Sequence, residues 1–106
     1  MTDFTALDLH DAFITAIAMD WTAGKLIVEA SVFCEGRGLR ARPCELVWSG
    51  VSRFVAHREL PWGPSSYINA SRFTAPSNYE IEMQSGDLLL IDATEFTLCA
   101  VEPHGT

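Results

Sequence analysis

Basic residues are scarce in this chain. Seven lysines and arginines stand against fourteen aspartates and glutamates, which gives a formal net charge of −7, and neither lysine nor arginine follows Arg72. Phosphate backbones repel so acidic a chain, so we expect no nucleic-acid partner. The acidic excess after Arg72 is typical of solvated strand faces, and an acidic surface that meets a basic protein is the alternative interpretation.

Long apolar runs are absent as well. No apolar run exceeds four residues, as in residues 88–91, whereas a membrane-spanning helix needs roughly 20. The N-terminus, MTDFTALDLHD, has acidic residues where a secretory signal has basic ones. We therefore expect no membrane segment and interpret the N-terminus as the start of a mature cytoplasmic protein.

Cysteine and histidine are few and widely spaced. The three cysteines, Cys34, Cys44 and Cys99, form no CxxC motif, which argues against a disulfide framework and is typical of a reducing compartment. We expect these thiols to be buried, as free cysteines usually are. Four closely spaced ligands, the usual requirement of a structural zinc site, do not occur. We therefore predict neither a metal nor a cofactor.

Catalytic motifs are missing too. The chain contains no GxSxG, no P-loop and no dinucleotide fingerprint, so we assign no catalytic residue. The segment LHDA places His10 beside Asp11, and two interpretations stay open. Either His10 bonds a nearby backbone carbonyl ahead of the first strand, or the pair lies in a cleft near His57 of a small-ligand-binding protein or hydrolase-like enzyme.

Apolar and polar residues alternate along much of the chain, which predicts mainly β-structure in a single domain over residues 1–106. Residues 12–34 predict a hairpin whose loop, residues 22–25, would place Trp21 opposite Leu26 on an apolar face. A helix over residues 11–21, capped by Asp11, is the alternative.

A second hairpin is predicted around Gln84-Ser85-Gly86, with Gly86 in the left-handed conformation. It pairs Ile81 with Leu89 and Tyr79 with Ile91. Gly50 indicates a bend or bulge, and a change of apolar parity near residues 94–95 predicts another bulge. Consecutive hairpins favour an antiparallel meander that forms a curled sheet, a partial barrel or a two-layer sandwich with little helix.

The segment PWGPSSYIN, residues 61–69, is rigid because its prolines restrict the backbone on both sides of Trp62. Trp62 is either an exposed anchor for a partner or a buried side chain in a structural crossover. We predict a binding surface that combines this segment with the acidic stretch, formed by Trp62, Tyr67, Asn69, Glu80, Glu82 and Asp92.

Four short motifs carry a resemblance: LHDA, DW followed by Gly24, PWGPS and EIEMQSGD. Together they resemble motifs of small uncharacterised bacterial protein families, some of which are grouped with immunity proteins of polymorphic toxin systems. The resemblance implies a cytoplasmic, non-enzymatic protein that neutralises a toxin by binding it, and it supplies no catalytic residues. The leading hypothesis is thus a protein-binding module whose partner is a basic toxin or a second copy of the chain.

Overall fold

The computed structural model describes residues 4–7, 9–32, 42–59 and 66–100. Its eight strands form two antiparallel four-stranded sheets, neither closed into a barrel. In chain order they are β1 (Phe13–Asp20), β2 (Lys25–Val32), β3 (Arg42–Ser49), β4 (Arg53–Ala56), β5 (Ile68–Thr74), β6 (Asn78–Met83), β7 (Leu88–Asp92) and β8 (Glu95–Ala100). Sheet A has the order β1-β2-β3-β8 and sheet B the order β4-β7-β6-β5.

Helix is nearly absent from these ranges. A single 3-10 turn, Phe4–Ala6, precedes the strands, so the helix considered for residues 11–21 does not form. No helix in the described part of the chain is long and apolar enough to cross a membrane. The predicted mainly β, antiparallel class is confirmed.

The inner faces of the two sheets share one apolar core. Its fully buried side chains include Leu26, Val28, Leu46 and Trp48 from sheet A and Ile68, Ile81 and Ile91 from sheet B. They alternate with outward residues along each strand, as the pleat requires. The architecture is therefore a two-layer sandwich, with one face of each sheet turned outward.

An aromatic cluster ties the two layers together at one end of the core. Phe4 packs edge-on against Tyr79 and Phe96, with ring centroids 5.1 Å apart in both pairs. Trp48 lies 5.9 Å from Tyr79 and 5.1 Å from Phe96. Because Tyr79 belongs to sheet B while Trp48 and Phe96 belong to sheet A, these contacts stabilise the packing of the layers.

The first hairpin forms, but the predicted register is wrong by two residues. Asp20 pairs with Lys25 and Met19 with Leu26, so residues 21–24 make the turn. Asp20 Oδ1 accepts a hydrogen bond from the Ala23 amide at 3.1 Å, which closes the turn earlier than predicted. Trp21 consequently leaves the strand and is 87% exposed instead of facing Leu26.

The second hairpin has the predicted register. Ile81 pairs with Leu89 and Tyr79 with Ile91. Gly86 has a φ of 95°, which glycine adopts without steric cost. Backbone bonds between Met83 and Asp87 and between Gly86 and Met83, both 2.8 Å, close the turn.

The chain changes sheets at two neighbouring points. Gly50, with a φ of 64°, makes the predicted bend between β3 and β4. The parity change near residues 94–95 is not a bulge, because the chain leaves sheet B after Asp92 and enters sheet A at Glu95. Thr94 bridges both crossings, since its amide and its hydroxyl donate to the Ser49 carbonyl at 3.0 and 3.1 Å.

The expectation that the thiols are buried holds for one cysteine and fails for another. Cys44 is buried in β3, whereas Cys99 is exposed. Phe96 and Leu98 face inward along β8, so the alternation turns Cys99 outward. Cys34 lies outside the described residues.

Candidate protein-binding surfaces

The three predicted acidic residues share the outer face of sheet B. Glu80 and Glu82 alternate along β6 with the buried Ile81, and Asp92 follows the buried Ile91 at the end of β7. Register confirms the common face, because Glu80 lies opposite Leu90 and Asp92 lies opposite Asn78. The structure thus brings these carboxylates to one side of the molecule.

Arg72 on β5 neutralises two of them. It lies opposite Glu80 and contacts that carboxylate through both Nε and Nη2, and Nη2 also donates to Glu82 Oε1 at 3.1 Å. Asn69 Nδ2 donates to Glu82 Oε2 at 2.9 Å. The guanidinium, and after it the amide, hold the pKa of Glu82 below its ordinary value, while the two carboxylates raise the pKa of Arg72. Both acidic groups are therefore compensated within the sheet.

The third carboxylate also has a cation as its cross-strand neighbour. Asp92 lies directly opposite Arg53 on β4. The predicted acidic residues therefore share their face with two guanidinium groups, those of Arg53 and Arg72. This face is less acidic than the sequence suggests.

Tyr67 and Asn69 lie at the start of β5, beside the first strand. Tyr67 is 47% exposed and packs edge-on against Phe13, with ring centroids 5.0 Å apart. Asn69 marks a register shift in β5 and contacts Glu82. Trp62 lies outside the described residues, so the choice between anchor and crossover remains a prediction.

His10 and Asp11 are held by the backbone and by a neighbouring side chain. His10 Nδ1 donates to the Asn69 carbonyl at 2.7 Å, as one interpretation of LHDA predicted. Asp11 adopts a φ of 67°, donates its amide to Ile68 and accepts from Gln84 Nε2 at 2.7 Å. Within the described ranges, no three His, Cys, Asp or Glu side chains come together as a metal site.

The outer face of sheet A carries an acidic surface that the sequence did not indicate. Four carboxylates and one ammonium occupy it: Asp20, Glu29, Glu45, Glu95 and Lys25. We call this surface the acidic face. Glu29 on β2 lies directly opposite Glu45 on β3, and among the described residues neither carboxylate has a hydrogen-bond or ion-pair partner.

A row of short, mostly apolar side chains crosses the acidic face between these charges. Register places Ala18, Ile27, Val47 and Thr97 side by side on the four strands. Ile27 and Val47 are half-buried, and the other two are exposed. Such a flat row allows another backbone or side chain to approach the sheet closely.

The open side of the sandwich is a second unusual region. β1 and β4 are edge strands of different sheets, and two hollows lie between them. One, of about 210 Å³, is lined by Ile14, Ile17, Ala56, His57, Arg58, Ser66, Met83, Asp87 and Leu89. The other, of about 280 Å³, is lined by Met19, Trp21, Val51, Ser52, Arg53 and Phe54.

We call the two hollows together the open-side groove. His57 lines it, but His10 and Asp11 are not among its described lining residues. The cleft proposed from the sequence would need all three. Ile17, at 40% exposure, and Trp21 are the large apolar side chains that the groove leaves most open to solvent.

Comparison with protein-family models, curated proteins and solved structures gives no significant match to this chain. Function is therefore inferred from the acidic face and the open-side groove themselves.

Proposed function

We propose that the protein is a cytoplasmic, non-enzymatic binding module that presents the acidic face of sheet A to a basic protein. The opposed pair of Glu29 and Glu45 carries this proposal. Like charges directly opposite on neighbouring strands destabilise a sheet, and natural proteins keep such local conflicts mainly where function uses them. A cation from a partner, placed between the two carboxylates, would turn this repulsion into attraction.

The apolar row beside this pair supplies what an interface core needs. Ile27 and Val47 are already half-buried, so their remaining exposed surface can be removed from water by a flat partner surface. Protein interfaces combine such an apolar centre with a charged rim. The acidic face has that arrangement, with Glu29 and Glu45 on one side of the row and Asp20 and Glu95 on the other.

Trp21 extends the same surface at its corner. It follows Asp20 directly and is 87% exposed, which is unusual for so large an apolar side chain. Tryptophan is enriched among the few residues that dominate binding energy at protein interfaces. Trp21 is accordingly the described side chain best placed to serve as an anchor.

Overall charge supports a basic partner as well. A net charge of −7 attracts positively charged proteins over a distance and speeds their association. It also disfavours a second copy of the chain as the partner on this face, since two acidic faces would repel each other.

The narrower form of the proposal is an immunity role, with a basic toxin as the partner. The resemblance of LHDA, PWGPS and EIEMQSGD to families grouped with immunity proteins supports it. Binding alone would suffice for this role, because a protein that covers the active surface of a toxin needs no chemistry of its own. The gene beside this one should then encode a basic toxin.

The test begins with affinity capture on the immobilised full chain, followed by purification of each identified partner and titration against variants. Glu45→Lys reverses a charge on the acidic face, and Asp92→Lys makes the same change on the outer face of sheet B. We expect Glu45→Lys to weaken binding about tenfold or more, as interface charge reversals do, and Asp92→Lys to change it little.

Salt supplies a second readout, because contacts between exposed charges weaken as ionic strength rises. The affinity should therefore fall with added salt. A partner that is itself acidic, or one that Asp92→Lys releases while Glu45→Lys does not, would contradict the proposal. A partner bound equally well at low and high salt would do the same.

A further inference from the structure

Beyond Ile14, the edge of β1 lacks, within the described ranges, the protection that natural sheets give their edge strands. Residues 16–19, Ala-Ile-Ala-Met, contain no charge and no proline, and residues 15–18 are exposed. Edge strands normally carry charges, prolines or bulges, or are covered by another segment. The register shift of β1 lies earlier, between Ile14 and Ala16, so the stretch after it remains a regular edge.

Two of the other three edge strands are protected. β4 is only four residues long and begins with Arg53. β5 has a register shift at Asn69 and carries Arg72. β8 begins with Glu95, but its remaining residues, 96–100, carry neither charge nor proline. Of these two uncharged edges, that of β1 borders the open-side groove.

The open-side groove lies beside this edge and gives an added strand somewhere to place its side chains. Ile17 and Met19 point to the groove side of β1, and Phe54 and Ala56 line it from β4. An extended peptide that pairs with a sheet edge turns alternate side chains to one face. In a peptide paired with β1, the side chains that turn toward the inner face of sheet A would enter the groove.

The charges around the groove select the chemistry of such a peptide. Arg53 and Arg58 line it. Within the described ranges neither guanidinium has an ion-pair or hydrogen-bond partner, although Arg53 lies opposite Asp92. His57 lines the same hollow as Arg58. Asp87 also lines the groove, but its carboxylate accepts bonds from the Glu59 amide at 3.0 Å and from Ser85 Oγ at 2.8 Å.

We propose that the edge of β1 and the open-side groove bind an extended segment of another protein in which apolar residues alternate with carboxylates. The apolar residues fill the groove, and the carboxylates pair with Arg53 and Arg58. Main-chain bonds to β1 supply the rest of the affinity. This site is separate from the acidic face, and its partner has the opposite charge.

The test uses a displayed library of random peptides of about ten residues, long enough to span an edge strand. Selection on the immobilised full chain should enrich peptides in which aspartate or glutamate alternates with apolar residues. A synthetic copy of an enriched peptide then serves as the probe. On binding, it should slow hydrogen exchange at amides of residues 16–19, because strand addition gives free edge amides a partner.

Pairs of variants, each with the same chemical change inside and outside the groove, test whether the peptide binds at the groove. Ile17→Asp places a carboxylate on the edge of β1, and Thr74→Asp makes the same addition on β5, the edge strand of sheet B on the side opposite β4. Arg58→Glu reverses a groove cation, and Arg42→Glu reverses a cation at the start of β3, outside both the groove and the acidic face. We expect Ile17→Asp and Arg58→Glu each to weaken the peptide about tenfold or more, and both controls to have little effect.

Several results would overturn this inference. The library could enrich nothing, or basic peptides, or peptides without charge preference. An acidic peptide could bind with no change in exchange at residues 16–19, or bind Ile17→Asp as tightly as the original chain. Finally, sedimentation could reveal a dimer that Ile17→Asp dissociates, which would make a second copy the occupant of the edge.

Discussion

The opposed carboxylates of Glu29 and Glu45 lead to a counterintuitive prediction: Glu45→Lys should stabilise the protein. Cross-strand neighbours have Cβ atoms about 4.5–5.5 Å apart, and a favourable charge pair there contributes about 0.2–1 kcal/mol, with a similar cost for like charges. Glu45→Lys removes the repulsion between residues 29 and 45 and replaces it with a favourable charge pair. Together these changes should raise the free energy of unfolding by about 1 kcal/mol, or roughly 5 °C in Tm for a domain of this size.

Urea and thermal denaturation of three variants measure the effect. Glu45→Gln removes the repulsion alone and should give about half the gain. The double variant Glu29→Lys/Glu45→Lys again places two like charges opposite each other, so it should lose the gain in unfolding free energy. High salt should reduce the differences in unfolding free energy between these variants and the original chain, because exposed charges are screened. If Glu45→Lys and Glu45→Gln both fold but are no more stable than the original chain, the two carboxylates do not repel each other and the reasoning behind the acidic face fails.

Three further predictions concern stability. Gly50→Ala should destabilise the fold by about 1–3 kcal/mol in urea denaturation, because φ is 64° and a Cβ would lie 2.1 Å from Thr94 Oγ1; Thr94→Gly in the same chain should recover the steric part. Trp48→Phe should cost less stability than the roughly 3–5 kcal/mol of Trp48→Ala, because the buried Nε1 has no hydrogen-bond partner among the described residues that the substitution would remove. Since the pKa of Glu82 is lowered, its contribution is present above the usual 4.5 and disappears as pH falls through the folded value, so the Tm difference between Glu82→Gln and the original chain should vanish in acid.

Local chemistry explains why one hairpin register could be predicted and the other could not. Around Gly86, a three-residue loop with one left-handed glycine leaves a single register that buries both strands. At the first hairpin, the turn depends on a side-chain bond from Asp20 to the Ala23 amide, which a pattern of apolar residues does not reveal. The error of two residues left residues 16–20 of β1 on their predicted faces, because the period of a strand is two. Trp21, at the end of the strand, changed its environment, and the register shift between Ile14 and Ala16 turned Phe13 away from its predicted face.

The surfaces were harder to predict because they depend on pairings between distant segments. Glu80 and Glu82 share a face through one strand, which the sequence shows. Their compensation by Arg72 needs the pairing of β5 with β6, and the opposition of Glu29 and Glu45 needs the pairing of β2 with β3. Neither pairing leaves a signal in local composition.

The two sheets differ in how their outward charges are compensated, and that difference separates a structural from a functional explanation. On sheet B, Arg72 satisfies its two acidic neighbours, as expected of a surface that need only stay folded and soluble. On sheet A, no described cation pairs with Glu29 or Glu45, although one substitution would provide such a cation. A structural role predicts that Glu45→Lys is harmless as well as stabilising. A binding role predicts that the same variant gains stability and loses its partner, the trade-off seen where a surface is kept for function. Measuring both quantities on this one variant therefore distinguishes the two explanations.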